Sequence, residues 1–194
     1  MSDLVENKKN LREEYRRRRD AFVSQLDTAT RTLAFRRPPT PLNQLFEQTE
    51  VIALYQAVGS EAPTMRLMEY LSEIGKTVAF PVVTGQAPLE FRAVSDIELL
   101  EAGYQNIPEP SESCPVVTPD LIIAPLIAFD RRLGRLGQGQ GHYDRTFEKY
   151  THAKRIGLAW SVQELDSIPI EEHDVPLDMI ITEYEIIQSV NMTS

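Results

Sequence analysis

Apolar residues at the start of the chain recur at helical intervals. Leu4, Leu11, Tyr15, Phe22 and Leu26 fall on one narrow stripe and predict an amphipathic helix across residues 4–26. Steps of three and four residues also bring Lys8, Arg12, Arg16 and Arg19 onto a neighbouring face, so a cationic edge borders the buried one. Residues 36–42 (RRPPTPL) carry three prolines, which do not sit in a helix interior, and read as a loop. The period then changes. Residues 50–58 and 77–83 are short apolar runs of strand type, with the helical pattern MRLMEYLSEI between them, and residues 89–94 form a weaker strand. EAGYQNIPEPSES reads as a surface loop. Residues 120–130 (DLIIAPLIAFD) are the most apolar run and suit a central strand buried on both faces of a sheet. A helical segment follows at residues 142–150, and RIGLAW and DMIIT supply two further strands. Strands alternating with helices predict an α/β fold: a mostly parallel central sheet flanked by helices, Rossmann-like and three-layered, in one domain spanning residues 1–194.

Composition narrows the class only a little. With 42% hydrophobic and 25% charged residues the chain is of ordinary globular type. Its formal net charge of −9 works against gathering nucleic acid or anionic lipid. Cys114 is the only cysteine, so neither an intrachain disulfide nor a cysteine zinc cluster can be built, which suits a reducing compartment. The amino-terminal segment lacks the apolar centre of a secretory signal and no later run is long enough to span a bilayer, so a cytoplasmic protein is expected.

Chemistry concentrates in residues 131–145, RRLGRLGQGQGHYDR. Gly134, Gly137, Gly139 and Gly141 permit tight turns and leave backbone amides exposed just ahead of a helix start, where Arg135 and the helix dipole favour phosphate. Asp144, in the first helical turn, is placed to hold Mg²⁺. The spacing is neither the dinucleotide fingerprint nor a Walker loop, and a plain strand-to-helix turn also uses glycines. On spacing alone, phosphate binding and a structural turn both stand.

The sequence AFD followed by RLGQGQGHYDR resembles the signature of the 5-formyltetrahydrofolate cyclo-ligase family. Two further segments resemble that family in the same order: KxxLR, here Lys8 and Arg12, and Glu61 within GSEAPT; IPEP at 107–110 and HDVPLD at 173–178 are similar as well. The resemblance implies ATP-dependent cyclisation of 5-formyltetrahydrofolate to 5,10-methenyltetrahydrofolate by a monomer that needs ATP and Mg²⁺ and no nucleic acid or membrane. It implies that Lys8 and Arg12 meet the ATP phosphates, Arg12 also nearing the folate, and that Gln56 and Glu61 hold the folate, Glu61 through its pterin ring. It places Arg135, Leu136, Gly137, Gln138, Gly139, Gln140, Gly141, His142 and Tyr143 on the ATP loop. Of these, Gln138 through His142 also reach folate, and Arg135 and Tyr143 act in catalysis. Asp144 and Asp174 match its Mg²⁺-associated acids. Arg16 to Arg19 are expected to be mostly solvated. Gln140 departs from the Lys or Gly common in the family and His142 from Tyr; the imidazole charge is expected to vary near neutral pH. A non-catalytic folate- or nucleotide-binding relative, or another phosphate-handling enzyme of similar fold, are the alternatives.

Overall fold

A computed structural model of the chain describes residues 3–96, 99–171 and 174–188. Its centre is an eight-stranded sheet in the order β12-β11-β10-β7-β1-β2-β3-β6. The strands are β1 (Val51–Ala53), β2 (Thr77–Val82), β3 (Glu90–Ala93), β6 (Val116–Val117), β7 (Leu121–Pro125), β10 (Lys154–Leu158), β11 (Met179–Ile181) and β12 (Ile186–Gln188). From β11 through β10, β7 and β1 to β2 every pairing is parallel. The pairings toward the two edges, β2 with β3, β3 with β6 and β11 with β12, are antiparallel. The sequence expectation of a mostly parallel sheet therefore holds.

Alternation along the inner strands explains why both faces are covered. Leu121 and Ile123 of β7 point into one apolar cluster and Ile122 and Ala124 into another, and β1 divides Ile52 and Ala53 the same way. The first cluster is closed by α3 (Thr40–Glu47), through Leu42 and Phe46, and by α4 (Met65–Glu73), through Leu67 and Leu71. The second is closed by α5 (His142–Lys149), through Phe147, together with Tyr150 beyond its end. Each such side chain taken from water contributes about 1.5–3 kcal/mol, which stabilises the three layers together. Helix α1 (Asp3–Ser24) packs against β8 (Ala128–Phe129) and the turn at Ser161–Gln163, burying Tyr15 and Val23. A short α2 (Thr28–Leu33) follows, its amino end capped by Asp27.

Several expectations change. The proline-rich loop is shorter than read, because α3 already begins at Thr40 with Pro41 in its first turn, where a missing N–H costs nothing. The long apolar run divides: β7 ends at Pro125, and β8 leaves the sheet to pair with β9 (Arg135–Leu136). EAGYQNIPEPSES contains a hairpin rather than a plain loop, β4 (Leu100–Ala102) pairing with β5 (Pro108–Pro110). Both prolines of β5 sit in a two-stranded ribbon, where an edge strand tolerates the lost donor. Among the described residues no helix is long and apolar enough to cross a membrane.

Chain order reverses between β1 and β7: β1 leads outward through β2 and β3, and β7 leads the other way through β10 and β11. A crevice opens at the carboxyl ends of strands where such a reversal falls.

Candidate functional site

The glycine-rich segment owes its shape to Asp130. This carboxylate is fully buried and accepts from the backbone amides of Arg132 (3.0 Å), Gly134 (2.9 Å) and Ile168 (2.8 Å). The chain thereby turns back, so that β9 delivers Arg135 under the loop. Arg135 is buried, its Nη2 donating to Asp144 Oδ1 at 2.7 Å. Its guanidinium carbon lies 5.6 Å from the Tyr143 ring centroid and 5.4 Å from that of Phe147, within cation–π range. A β-carbon at Gly137 would stand 2.8 Å from Arg135 Nη1, so any larger residue there would displace the guanidinium. At Gly139, φ is +98° and a β-carbon would lie 3.1 Å from Arg12 Cζ. Backbone and cations are in contact through the whole loop.

Helix α1 supplies those cations from the other side. Lys8 is buried, with Nζ 2.7 Å from Glu171 Oε2 and 2.5 Å from Asp174 Oδ2. Arg12 Nε donates to the Gly137 carbonyl at 2.9 Å, and Arg16 Nη2 to Gln138 Oε1 at 2.6 Å. Partial burial and then Arg16 pull the Arg12 guanidinium below its ordinary range, while Asp174 and Glu171 oppose the change. Arg19 corrects the expectation of a solvated basic run: it is buried, and its Nε donates to Ser60 Oγ at 2.9 Å. The helix turns Lys8, Arg12 and Arg19 inward beside Tyr15, whereas Arg18 stays at the surface, paired with Glu14.

Glu61 closes the turn after β1. Its Oε2 accepts from the Val58 amide at 3.0 Å, and Gln138 Nε2 reaches its Oε1 at 3.4 Å, so the loop touches this carboxylate too. Burial pushes the Glu61 carboxyl above its usual range, partly offset by the Val58 bond and by Arg19. Burial likewise raises the Tyr143 phenol, against the pull of Arg135 and with the help of Glu61, so the hydroxyl keeps its proton at neutral pH. Loss of water around His142, and then Arg145, lowers the imidazole below its ordinary 6.5 and favours its neutral form. Gln140 accepts from the Tyr104 hydroxyl at 3.3 Å and pairs with His142 Nε2 at 2.9 Å, which ties the β4–β5 hairpin to the loop.

These groups line one cleft of about 420 Å³ at the carboxyl ends of β1, β2 and β7. Lys8, Arg12, Gln56, Glu61, residues 135–144 and Asp174 all contribute to it. Arg19, Tyr55, Tyr104 and Glu171 line it as well and were not assigned to the site from the sequence. Arg19 had a usable signal, lying eleven residues after Lys8 on the helix face that carries Arg12. Tyr104, on a hairpin tip, had none. His173 lies outside the described residues. Among the described residues no three His, Cys, Asp or Glu side chains gather as a cation cage. Asp144 and Asp174 are hard oxygen donors, of the type a divalent cation takes, and each is paired here with a side-chain cation, Arg135 and Lys8 respectively.

The fold and site define an α/β protein with a glycine-walled cleft at the switch point of its sheet, lined by the cations Lys8, Arg12, Arg19 and Arg135 and by facing carboxylates. Residues 4–183 match the model of the 5-formyltetrahydrofolate cyclo-ligase family. The chain belongs to that family, whose members are carbon–nitrogen ligases of folate metabolism. It is 32% identical over 162 residues to the 5-formyltetrahydrofolate cyclo-ligase of Escherichia coli (strain K12), covering 79% of this chain and 85% of that one. The enzyme of the same name from Mycolicibacterium smegmatis is 33% identical over 140 residues, 68% of this chain and 72% of its own. The structure of Aquifex aeolicus 5,10-methenyltetrahydrofolate synthetase superposes with a TM-score of 0.79 at 26% identity, over 96% of this chain and 95% of that one.

Proposed function

We propose that this chain couples ATP hydrolysis to cyclisation of 5-formyltetrahydrofolate, giving 5,10-methenyltetrahydrofolate, ADP and phosphate. A formamide carbonyl is a poor electrophile. In the proposed route the formyl oxygen attacks the γ-phosphorus as ADP leaves; N10 then attacks the activated carbon and gives its proton to solvent, and the C–O bond breaks to release phosphate. No protein nucleophile is needed, so the residues bind, align and neutralise. Lys8, Arg12 and Arg135, with the amides of the 137–141 loop, face the phosphates; Glu61 accepts from the ring N–H and exocyclic amine, and Gln56 lies beside it. Tyr143, protonated and in the cleft wall, serves as a hydrogen-bond donor rather than a base. Mg²⁺ would be held through Asp144 and Asp174 and would supply charge neutralisation at the transferred group.

The observation that carries this reading is the contact of one loop with both halves of the cleft: Gly137 holds Arg12 while Gln138 reaches Glu61. A phosphate carrier and a ring carrier are thus joined through adjacent residues. The reaction is placed in the cytoplasm and assigned to a monomer acting on small molecules. The test is incubation of purified protein with MgATP and 5-formyltetrahydrofolate, followed by near-ultraviolet absorbance of the methenyl product. Folded protein that binds both ligands yet produces no ATP-dependent signal would refute the activity and leave a binding relative.

A further inference from the structure

Among the cations of α1, Arg19 has a different target. Its Nε is anchored on Ser60 Oγ at 2.9 Å, and its Nη1 lies 3.9 Å from Glu61 Oε1, with the two side chains only 8% and 10% exposed. That Nη1 is buried and has no hydrogen-bond partner. The anchor is itself held on two sides, since the Ser60 hydroxyl donates to Asp20 and the Ser60 carbonyl accepts from Trp160 Nε1 at 3.0 Å. A buried guanidinium with an idle N–H costs free energy unless it compensates a neighbouring charge, and Glu61 is the carboxylate within ion-pair range.

We infer that Arg19 is a positioning residue for the ring-binding half of the cleft, holding the Glu61 carboxylate ionised and in place for the substrate. The inference rests on the reading of Glu61 as the ring-binding group. From α1, Glu61 faces Arg19 and Arg16; from the end of β1 it faces Tyr55, and from α5 it faces Tyr143. Both phenols are pushed up by burial and carry no charge at neutral pH. Arg16 is only half-buried and is engaged with Gln138. Burial works against the Glu61 anion, and compensation comes from the Val58 amide first and then from Arg19, the nearest buried cation. Two acceptor oxygens in one plane recognise an N–H beside an amine only while the group is charged; once protonated, one oxygen becomes a donor.

The test uses Arg19→Met, which keeps the bulk and removes the charge, and Arg19→Lys, which restores it. The first readout is independent of catalysis: the side-chain carboxyl carbon of Glu61, assigned by its loss in Glu61→Gln, is titrated by ¹³C NMR. In the Met variant the proton affinity of Glu61 is expected to rise about tenfold, one unit on the pH axis, and in the Lys variant to return most of the way. An unmoved titration overturns the inference. The second readout is kinetic: for Arg19→Met at pH 7, KM for 5-formyltetrahydrofolate rises about tenfold while KM for ATP stays within about twofold. Equal rises in both would assign Arg19 a purely structural role. Should the Met variant not fold, Ser60→Ala, which frees the anchor and leaves the charge, takes its place in the NMR titration. A rise in Glu61 proton affinity supports the inference there and no change overturns it. If wild-type protein makes no methenyl product, the activity reading fails while the NMR titration still decides the part played by Arg19.

Discussion

Replacing Arg135 with Ala removes the buried cation at the centre of the loop. In the structure its guanidinium is 4% exposed, bonded to Asp144 and stacked near Tyr143 and Phe147. A hydrogen bond to a charged group contributes about 1.5–3 kcal/mol, so loss of the proposed phosphate contact is expected to weaken MgATP binding by about 10- to 150-fold. The matched control is Arg18→Ala. Arg18 is 53% exposed, pairs with Glu14 and does not line the cleft; exposed pairs contribute about 0.2–1 kcal/mol, so the control leaves ATP affinity unchanged. Isothermal titration calorimetry with MgATP measures both, and circular dichroism establishes that both are folded. Stability separates them as well. Breaking a buried ion pair costs about 3–5 kcal/mol, and the low end applies because Asp144 is 18% exposed and regains water. For a chain of this size about 3 kcal/mol lowers Tm by roughly 6–12 °C. Equal ATP affinities for the two variants would refute the assignment of the loop.

Gly139→Ala combines a left-handed backbone with a contact on Arg12, and should raise KM for ATP and folate at least about tenfold. Gly75→Ala, also left-handed but in open space, should cost about 1 kcal/mol of stability and leave the kinetics alone; steady-state assays and thermal melts distinguish the two. Glu61→Gln exchanges an acceptor for a donor, so folate affinity should fall about tenfold or more with ATP affinity unchanged by calorimetry. In wild type, folate affinity should decline toward acid at a pH above the ordinary 4.5, because the carboxyl is raised by burial, and this limb should vanish in the variant. Asp178 provides a stability test. Burial opposes its charge, but hydrogen bonds from Arg155 win and its carboxyl lies below the ordinary 3.8. The unfolded state then binds more protons as acid is added, so the stabilisation is present above pH 3.8 and is lost as pH falls through the lower folded value. Asp178→Asn should destabilise by about 1–3 kcal/mol at pH 7, with the difference from wild type shrinking below pH 3.8 in urea melts.

Periodicity and apolar runs, with their local causes, were enough to predict α1, α4, α5, the inner strands and the parallel class. Strand β7 is apolar on every position because both faces are covered, and α4 shows its stripe because one face is. The short elements escaped this reading. Pro41 opens α3 instead of breaking it, and β4 with β5 is a ribbon whose pairing depends on partners distant from any local signal. Motif spacing and family likeness joined Lys8, Arg12, Glu61 and residues 135–144 in one two-substrate site, but not the contacts by which they line a single cleft.

Only the tertiary structure decided the state of each charge. Arg18 and Arg19 are neighbours of one type in one run, but the helix turns the first to water and the second toward Ser60 and Glu61. His142 follows the same rule: lost water and then Arg145 lower its imidazole, which the residue type alone does not show. Sequence determines which side chains a helix or strand can present. Which of them lose water, and which charges then compensate them, follows from the packing of elements far apart in the chain.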